Sequence, residues 1–447
     1  MIHCFTIGSR NVVLDVGSGA IHEVDDATLS VLKAMQNTGG SFSDLPSDLF
    51  VEPSIQHDIL TLIKDNQLFT VDNPQVHKHM ENRHPVVKAL CLHMAHECNL
   101  RCGYCFAGDG TYHADTMDRG MMSLEVGKKA LDFLIANSGK RRNLEVDFFG
   151  GEPMLNFDVV KQLVTYGRQR EVETGKKFRF TLTTNGTLLT DDANKYINEN
   201  MDNVVVSLDG RPAVNDRMRM MHSSGGSYDN IFPKILKLAE SRRQERYYVR
   251  GTYTRHNLDF AADVLHLADC GFKQISIEPV VAPDDADYSL READLPTLFA
   301  EYEKLAQALI ERERQGQGVH FFHFEIDLEG GPCLAKRVTG CGAGSEYLAV
   351  TPSGQLYPCH QFVTDEKFKL GDLDTGILNT NLIESFSKCH VFAKPECIDC
   401  WAKYYCSGGC MATAHHTHGS ILKPDKISCD LQRKRVECAL YMAVERG

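Results

Sequence analysis

Cys98, Cys102 and Cys105 lie in the run Cys98-Asn99-Leu100-Arg101-Cys102-Gly103-Tyr104-Cys105. A C-x3-C-x2-C spacing can bring three thiolates to one metal centre. Three is one short of the four that close a [4Fe–4S] cluster in the all-cysteine arrangement, so one iron would stay open to a ligand from outside the protein. The competing reading is a structural zinc site, which takes four Cys or His ligands as two short-spaced pairs. His93 and His96 are near enough in the chain to supply a fourth ligand.

Further along, Gly150-Gly151-Glu152-Pro153 offers exposed backbone, because glycines let a ligand approach the main chain closely. With Tyr104 just before the third cysteine, these residues resemble the radical S-adenosylmethionine (SAM) superfamily. The resemblance implies that SAM fills the open iron and is cleaved there to a 5′-deoxyadenosyl radical. It also implies a SAM pocket built from Tyr104, Gly150, Gly151, Glu152, Asn185 in Thr183-Thr184-Asn185-Gly186-Thr187, and Ser207 in Ser207-Leu208-Asp209-Gly210. The SAM carboxylate needs a cation, which a guanidinium supplies bidentately. Arg219 fits the family pattern best and Arg250 is the alternative; Glu278 should face the same mouth without an assigned role.

A second set of cysteines follows. Cys341 precedes Gly354-x4-Cys359, then Cys397-x2-Cys400-x5-Cys406-x3-Cys410, and finally Cys429. This array resembles the SPASM domain, which holds two auxiliary [4Fe–4S] clusters in radical SAM enzymes that modify peptides. A zinc ribbon would leave the x5 and x3 spacings and Cys429 unexplained. By that resemblance Cys341, Cys359 and Cys410 ligate auxiliary cluster I, and Cys397, Cys400, Cys406 and Cys429 ligate auxiliary cluster II. The array is one ligand short of eight. Cys333 is one candidate for the missing ligand and a substrate thiolate is the other. Cys4, Cys91, Cys270, Cys389 and Cys438 read as small apolar residues or idle thiols.

The elements that must position these groups are legible as patterns. Strand-like runs at Lys88–Met94, Leu144–Phe149, Phe178–Thr184, Val204–Leu208, Tyr247–Thr254 and Gln274–Val280 alternate with amphipathic stretches such as Leu124–Ala136, Val159–Glu171 and Leu298–Arg312. Serial β/α units imply a parallel sheet with helices outside it. The fold class is therefore α/β, a partial (β/α)6 radical SAM barrel over residues 86–320. Sites in such barrels form at the C-terminal strand ends, and the cysteine motif begins four residues after the first strand. Residues 1–80 read as a separate winged-helix-like unit. It has strands at Asn11–Val16 and Ala20–Val24, a helix capped by Asp25 or Asp26 with Leu29, Val31, Leu32 and Met35 on its apolar face, a helix near Ile55–Ile63, and a closing strand Gln67–Val71. Asp72–His84 looks like a linker. Residues 330–447, the SPASM domain, carry ten of the sixteen cysteines and little periodicity. A segment organised by its metals rather than by a core is expected there.

Composition limits the partners. Lys+Arg 48 against Asp+Glu 60 gives net −12 over 447 residues, which argues against nucleic-acid binding, including DNA binding by the N-terminal unit. No apolar run of about 18 residues exists to span a membrane. No signal peptide is evident at the start, and cysteine-rich chains in a reducing compartment bind metal rather than form disulfides, so a cytoplasmic, oxygen-sensitive protein is expected.

The order of modules resembles maturases of ribosomally made peptides, and the SCIFF peptide maturase group (thioether-forming, sactipeptide/ranthipeptide synthases) most of all. The residues that carry this are Gly340-Cys341-Gly342-Ala343-Gly344 and Tyr357-Pro358-Cys359-His360-Gln361-Phe362, together with the N-terminal strand pair. The resemblance implies three [4Fe–4S] clusters, SAM, an external electron donor, and a Cys-rich precursor peptide. The leader of that peptide would add as a strand to the N-terminal unit, and the reaction would install Cys thioether crosslinks. Carbon–carbon crosslinking, epimerisation and sulfatase-type maturation are the alternatives within enzymes, and a non-catalytic iron–sulfur peptide-binding protein is the one outside them. Sulfatase-maturing relatives carry an acidic residue after the cysteine matching Cys359, and here His360 stands instead.

Overall fold

Parallel strands buried on both faces read as near-continuous apolar runs. Ala89-Leu90-Cys91-Leu92-His93-Met94-Ala95 is such a run, and every one of its residues is buried. The computed structural model describes residues 1–447 except 37, 48, 72–84, 109, 113–119, 224, 284, 327 and 329–333, and the backbone alone of 334–336. The expected linker Asp72–His84 and Cys333 therefore lie outside the described residues.

The strands in chain order are β1 (Ile2–Ile7), β2 (Arg10–Asp15), β3 (Ile21–Val24), β4 (Ala89–Ala95), β5 (Leu100–Cys102), β6 (Asn143–Gly150), β7 (Lys177–Thr184), β8 (Asn203–Ser207), β9 (Arg219–Met221), β10 (Tyr247–Tyr253), β11 (Gln274–Pro279), β12 (His320–Phe321), β13 (Tyr347–Val350), β14 (Gln355–Tyr357), β15 (Gly371–Asp372) and β16 (Gly376–Ile377). The main sheet runs β12-β11-β10-β8-β7-β6-β4-β13-β14-β15-β16. Its pairs are parallel from β12 to β13 and antiparallel from β13 to β16. The six strands expected from the sequence are β4, β6, β7, β8, β10 and β11, each within one residue of its predicted ends. Helices Leu124–Asn137, Phe157–Thr174, Asp191–Asn200, Tyr228–Ser241, Phe260–Asp269 and Leu295–Arg314 lie in the connections. Their starts follow local chemistry: Ser123 Oγ accepts from Val126 N at 3.2 Å and Thr190 Oγ1 from Ala193 N at 3.2 Å, capping orphan donors.

The C-terminal segment departs from expectation. β13 pairs in parallel with β4, Leu348 opposite Leu90 and Val350 opposite Leu92. Leu348, Val350, Leu356, Leu370, Leu431, Val436 and Leu440 belong to the same buried cluster as the barrel strands. The segment is thus not held by metal ligands alone. Some of its apolar residues complete the barrel's core, and others, among them Tyr357, Phe362, Phe368, Phe386 and Met411, form a second buried cluster made mostly of the segment's own residues.

The N-terminal unit is a three-stranded antiparallel sheet, β1-β2-β3, with helices Asp26–Gln36 and Pro53–Lys64. β1 was not anticipated, and Gln67–Val71 forms no strand: Asn66 and Phe69 have φ of 57° and 55°, a left-handed geometry that ends extended pairing. Asp25 is the cap, its Oδ1 accepting from Thr28 N at 2.7 Å, whereas Asp26 Oδ1 accepts from Asn11 Nδ2. One face of this sheet packs Val13 with Leu29, Leu32, Met35 and Ile59. The other, through Phe5, Ile7, Val12 and Leu14, joins the main core beside the C-terminal helix Lys426–Arg446. At this seam the His3 ring stacks on Trp401 with centroids 3.7 Å apart and planes 5° from parallel. His3 Nε2 lies 2.9 Å from Glu437 Oε1, and Arg10 Nε donates to Glu445 Oε1 at 2.8 Å.

Candidate active site

At the C-terminal ends of the parallel strands, Cys98, Cys102 and Cys105 line a cavity of ≈ 240 Å³. Tyr104, Gly150, Gly151, Glu152, Asn185, Ser207 and Arg219 line the same cavity, so the whole set put forward for SAM converges on it. The loop after β4 carries the cysteines, and its short strand β5 pairs with β9, placing Cys102 opposite Arg219. Cys98 Sγ accepts from Leu100 N at 3.4 Å and faces Asn185 Nδ2 at 3.7 Å. Burial pushes the Cys98 thiol up to about 11 and the Cys102 thiol up to about 12. Ligation to a metal would have to release those protons.

The glycines serve a purpose that the sequence did not disclose. A Cβ on Gly151 would meet Glu97 O at 2.0 Å, and one on Gly150, whose φ is +120°, would meet Ala95 O at 2.4 Å. The close approach they allow is to the loop that carries Cys98. Gly151 N and Glu152 N donate to Ala95 O and Glu97 O at 2.7 and 2.8 Å, which fixes that loop to the end of β6. Glu152 is 1% exposed, and its carboxylate accepts from Met154 N, Thr184 Oγ1 and Asn185 N at 3.0, 2.7 and 2.8 Å. Burial raises it to about 7 against these three donors. Asn185 is itself held, donating to Asn99 Oδ1 at 2.8 Å and accepting from Thr187 Oγ1 at 2.6 Å.

Asp209 is the site residue that sequence reasoning passed over. Fully buried, it accepts from Tyr104 Oη at 2.9 and 2.7 Å, from Arg219 Nε at 3.0 Å and from Thr252 N at 3.0 Å. Its signal was an acidic residue just past the end of an apolar strand. With Nε occupied, the terminal nitrogens of Arg219 are left to the cavity. Arg250, by contrast, donates to Glu278 Oε2 at 2.6 Å. Burial pushes the Glu278 carboxyl up, but Arg250 and His323 hold it down at about 2.

His360 lines the same cavity, its ring 5.5 Å from Phe106 and 5.0 Å from Phe149. Burial lowers it to about 4, and its Nδ1 has no hydrogen-bond partner among the described residues. Its chain neighbour Cys359 is buried and does not itself line this cavity. Cys359 is close enough to Cys341 and Cys410 for their charges to raise its thiol further after burial does so. Cys397, Cys400, Cys406 and Cys429 line one small recess together. A third cavity, ≈ 320 Å³, is lined by Cys410 from one group and Cys406 and Cys429 from the other. Glu278, Pro279 and Val281 line both this cavity and the first. Among the remaining cysteines, Cys91, Cys389 and Cys438 are buried and Cys4 and Cys270 half-buried.

Among the described residues no three His, Cys, Asp or Glu side chains close on a point as the ligands of a single ion do. A four-iron cube needs its thiolates spread around a larger body, and three separate cysteine groups of three, three and four suit that donor chemistry.

Comparison with known proteins defines the class. Residues 92–259 match the model of the radical SAM superfamily, and residues 341–401 match SPASM, an iron–sulfur cluster-binding domain. The chain carries a radical SAM domain followed by a SPASM domain. A cysteine-type anaerobic sulfatase-maturating enzyme of Clostridium novyi (strain NT) is 26% identical over 328 residues, 70% of this chain and 84% of that protein. The mycofactocin maturase MftC of Mycolicibacterium smegmatis is 26% identical over 344 residues, covering 75% and 81% of the two chains. Native anSMEcpe with bound AdoMet and Cp18Cys peptide superposes with a TM-score of 0.64 at 21% identity, over 80% of this chain and 98% of that one. Streptococcus suis SuiB bound to S-adenosylmethionine gives 0.55 at 16%, over 95% and 100%. At these identities the two structures show a shared fold. Among the described residues no helix is long and apolar enough to cross a membrane.

Proposed function

We propose that this chain is a peptide maturase that installs Cys thioether crosslinks in a ribosomally synthesised, Cys-rich precursor, as the resemblance to the SCIFF maturase group implies. The observation that carries the reading is one cavity wall shared by Cys98, Cys102 and Cys105 and by His360, the neighbour of Cys359. A radical-generating site and a thiolate-binding site would then face the same peptide.

When bound, SAM and its cluster supply a 5′-deoxyadenosyl radical that takes a hydrogen atom from the acceptor residue. Cys98, Cys102 and Cys105 hold that cluster, and the terminal nitrogens of Arg219 clamp the SAM carboxylate in an orientation set by Asp209. Tyr104, Gly150, Gly151, Glu152, Asn185 and Ser207 shape the remaining wall. Cys341, Cys359 and Cys410 hold auxiliary cluster I, leaving one position for the substrate thiolate or for Cys333. Ligation keeps that thiolate deprotonated and fixed in place. Cys397, Cys400, Cys406 and Cys429 would hold auxiliary cluster II, and the auxiliary centres would supply an acceptor for the electron left over when carbon and sulfur join. The leader docks as an extra strand on β3, the edge of the N-terminal sheet opposite β1. The cluster at Cys98, Cys102 and Cys105 would need an external electron donor. Every described cysteine is unpaired, which suits the cytoplasm.

The test is anaerobic incubation of the reconstituted chain with SAM, a reductant and a small Cys-rich peptide encoded beside it, read by tandem mass spectrometry. A product that has lost two hydrogens and a free thiol is expected. Unchanged mass with inverted residues would mean epimerisation, and loss of two hydrogens with the thiol retained would mean a carbon–carbon link. Release of no 5′-deoxyadenosine would leave only a binding protein. The second reading, sulfatase-type maturation, is favoured by the similarity to the Clostridium novyi enzyme. It predicts that a sulfatase-derived peptide with a target cysteine is oxidised at that cysteine without any crosslink.

A further inference from the structure

Lys394 carries its charge into the protein interior. It is 1% exposed, and its Nζ donates to Gly408 O at 2.6 Å. No carboxylate pairs with it among the described residues. A buried ammonium without a counter-charge is strongly disfavoured. What lies around it is sulfur: its positive charge favours the thiolate form of Cys397 and Cys406, two of the four recess cysteines, and of Cys389, which is not among the proposed ligands. Cys397 follows in the short helix Pro395–Ile398, and Gly408 lines the recess of Cys397, Cys400, Cys406 and Cys429. Two cations line the recess itself: Arg433, part-exposed, pairs with Asp430 and also acts on Cys400 and Cys429, and Lys403 Nζ donates to Ile398 O at 3.0 Å. Lys394 is the one placed fully inside without a carboxylate among the described residues. Thiols would give Lys394 no anion. Metal-bound thiolates would.

We propose that Lys394 is the internal counter-charge of the Cys397–Cys400–Cys406–Cys429 centre and raises its reduction potential. The inference rests on the proposed auxiliary cluster II. Four thiolates around a [4Fe–4S] core are already net negative, and reduction adds one electron, with no bond made or broken. A fixed positive charge beside the sulfurs therefore stabilises the reduced form more than the oxidised one. Low local polarity enlarges the difference, and net charge and hydrogen bonds to sulfur are among the levers that set such potentials. Lys394 is a positioning residue here, acting on the electron acceptor and touching neither SAM nor peptide.

The full chain, reconstituted anaerobically, is titrated with a graded reductant and followed by low-temperature electron paramagnetic resonance. Lys394→Met should shift the oxidised-to-reduced ratio of this centre about tenfold toward oxidised at a fixed potential, about 59 mV for a one-electron couple. The signal of the Cys98–Cys102–Cys105 cluster should not move. Lys394→Arg should restore the wild-type potential. K394M with its full iron and an unmoved potential overturns the assignment while leaving the cluster intact. A wild-type chain with about four irons rather than about twelve overturns the cluster as well. If K394M does not accumulate, wild-type chain labelled with 15N-lysine should show a nitrogen coupling to this centre that K394R lacks. Identical spectra would overturn the proposal.

Discussion

Asp209 shows how much of this site depends on a residue lining no part of the cavity. Its single carboxylate holds Tyr104, Arg219 and the backbone of Thr252. Asp209→Asn should leave the buried Arg219 without its counterion, at a loss of about 3–5 kcal/mol. Expected are a lower thermal midpoint and weaker SAM binding in equilibrium dialysis, with iron content unchanged. Gly151→Ala should act on the metal instead. A Cβ 2.0 Å from Glu97 O must push away the loop that carries Cys98. About four of about twelve irons should be lost, with the auxiliary signals retained, as read by iron assay and paramagnetic resonance. The cysteines and the Gly150-Gly151-Glu152-Pro153 turn were legible because their chemistry is written in local spacing. Asp209 and the proximity of His360 to the SAM-motif cysteines were not, because strand ends bring them together across more than a hundred residues.

β4 announces itself as an apolar run because it is buried throughout, and β6, β7, β8 and β10 announce themselves by alternating buried with less buried positions, which is why these strands of the main sheet stand where the sequence put them. β1 was missed because Ile2-His3-Cys4-Phe5 is too short and mixed to signal a strand before its partner is known; its register with β2 supplies the reason it forms. β13 was missed because nothing local marks four residues, Tyr347–Val350, as the extension of a sheet begun at Ala89. That pairing ties the cysteines beyond it to the barrel. Leu348→Ala, at a fully buried position of this strand, should remove about 2–5 kcal/mol. A lower unfolding midpoint, seen equally by probes of the barrel and of the C-terminal segment, would show the two melting as one.

Across the whole molecule, cysteines of all three groups line two cavities that share Glu278, Pro279 and Val281, while the N-terminal sheet packs on the C-terminal helix and on Trp401 beside Cys400. Metal and core divide the work unevenly between these regions. Chelation of iron should therefore open the segment around Cys397–Cys429 to limited proteolysis first, with the barrel strands resisting longer; simultaneous cleavage in both would contradict that division. The seam between the N-terminal sheet and this segment has an optical consequence. Trp401 is the sole tryptophan in 447 residues, and its indole lies flat on His3 beside Cys400. Indole fluorescence from the entire chain thus originates at one place, where the sheet that would receive a leader meets the loop that would hold a cluster. A change in emission when a leader peptide is added would report motion at that contact and nowhere else.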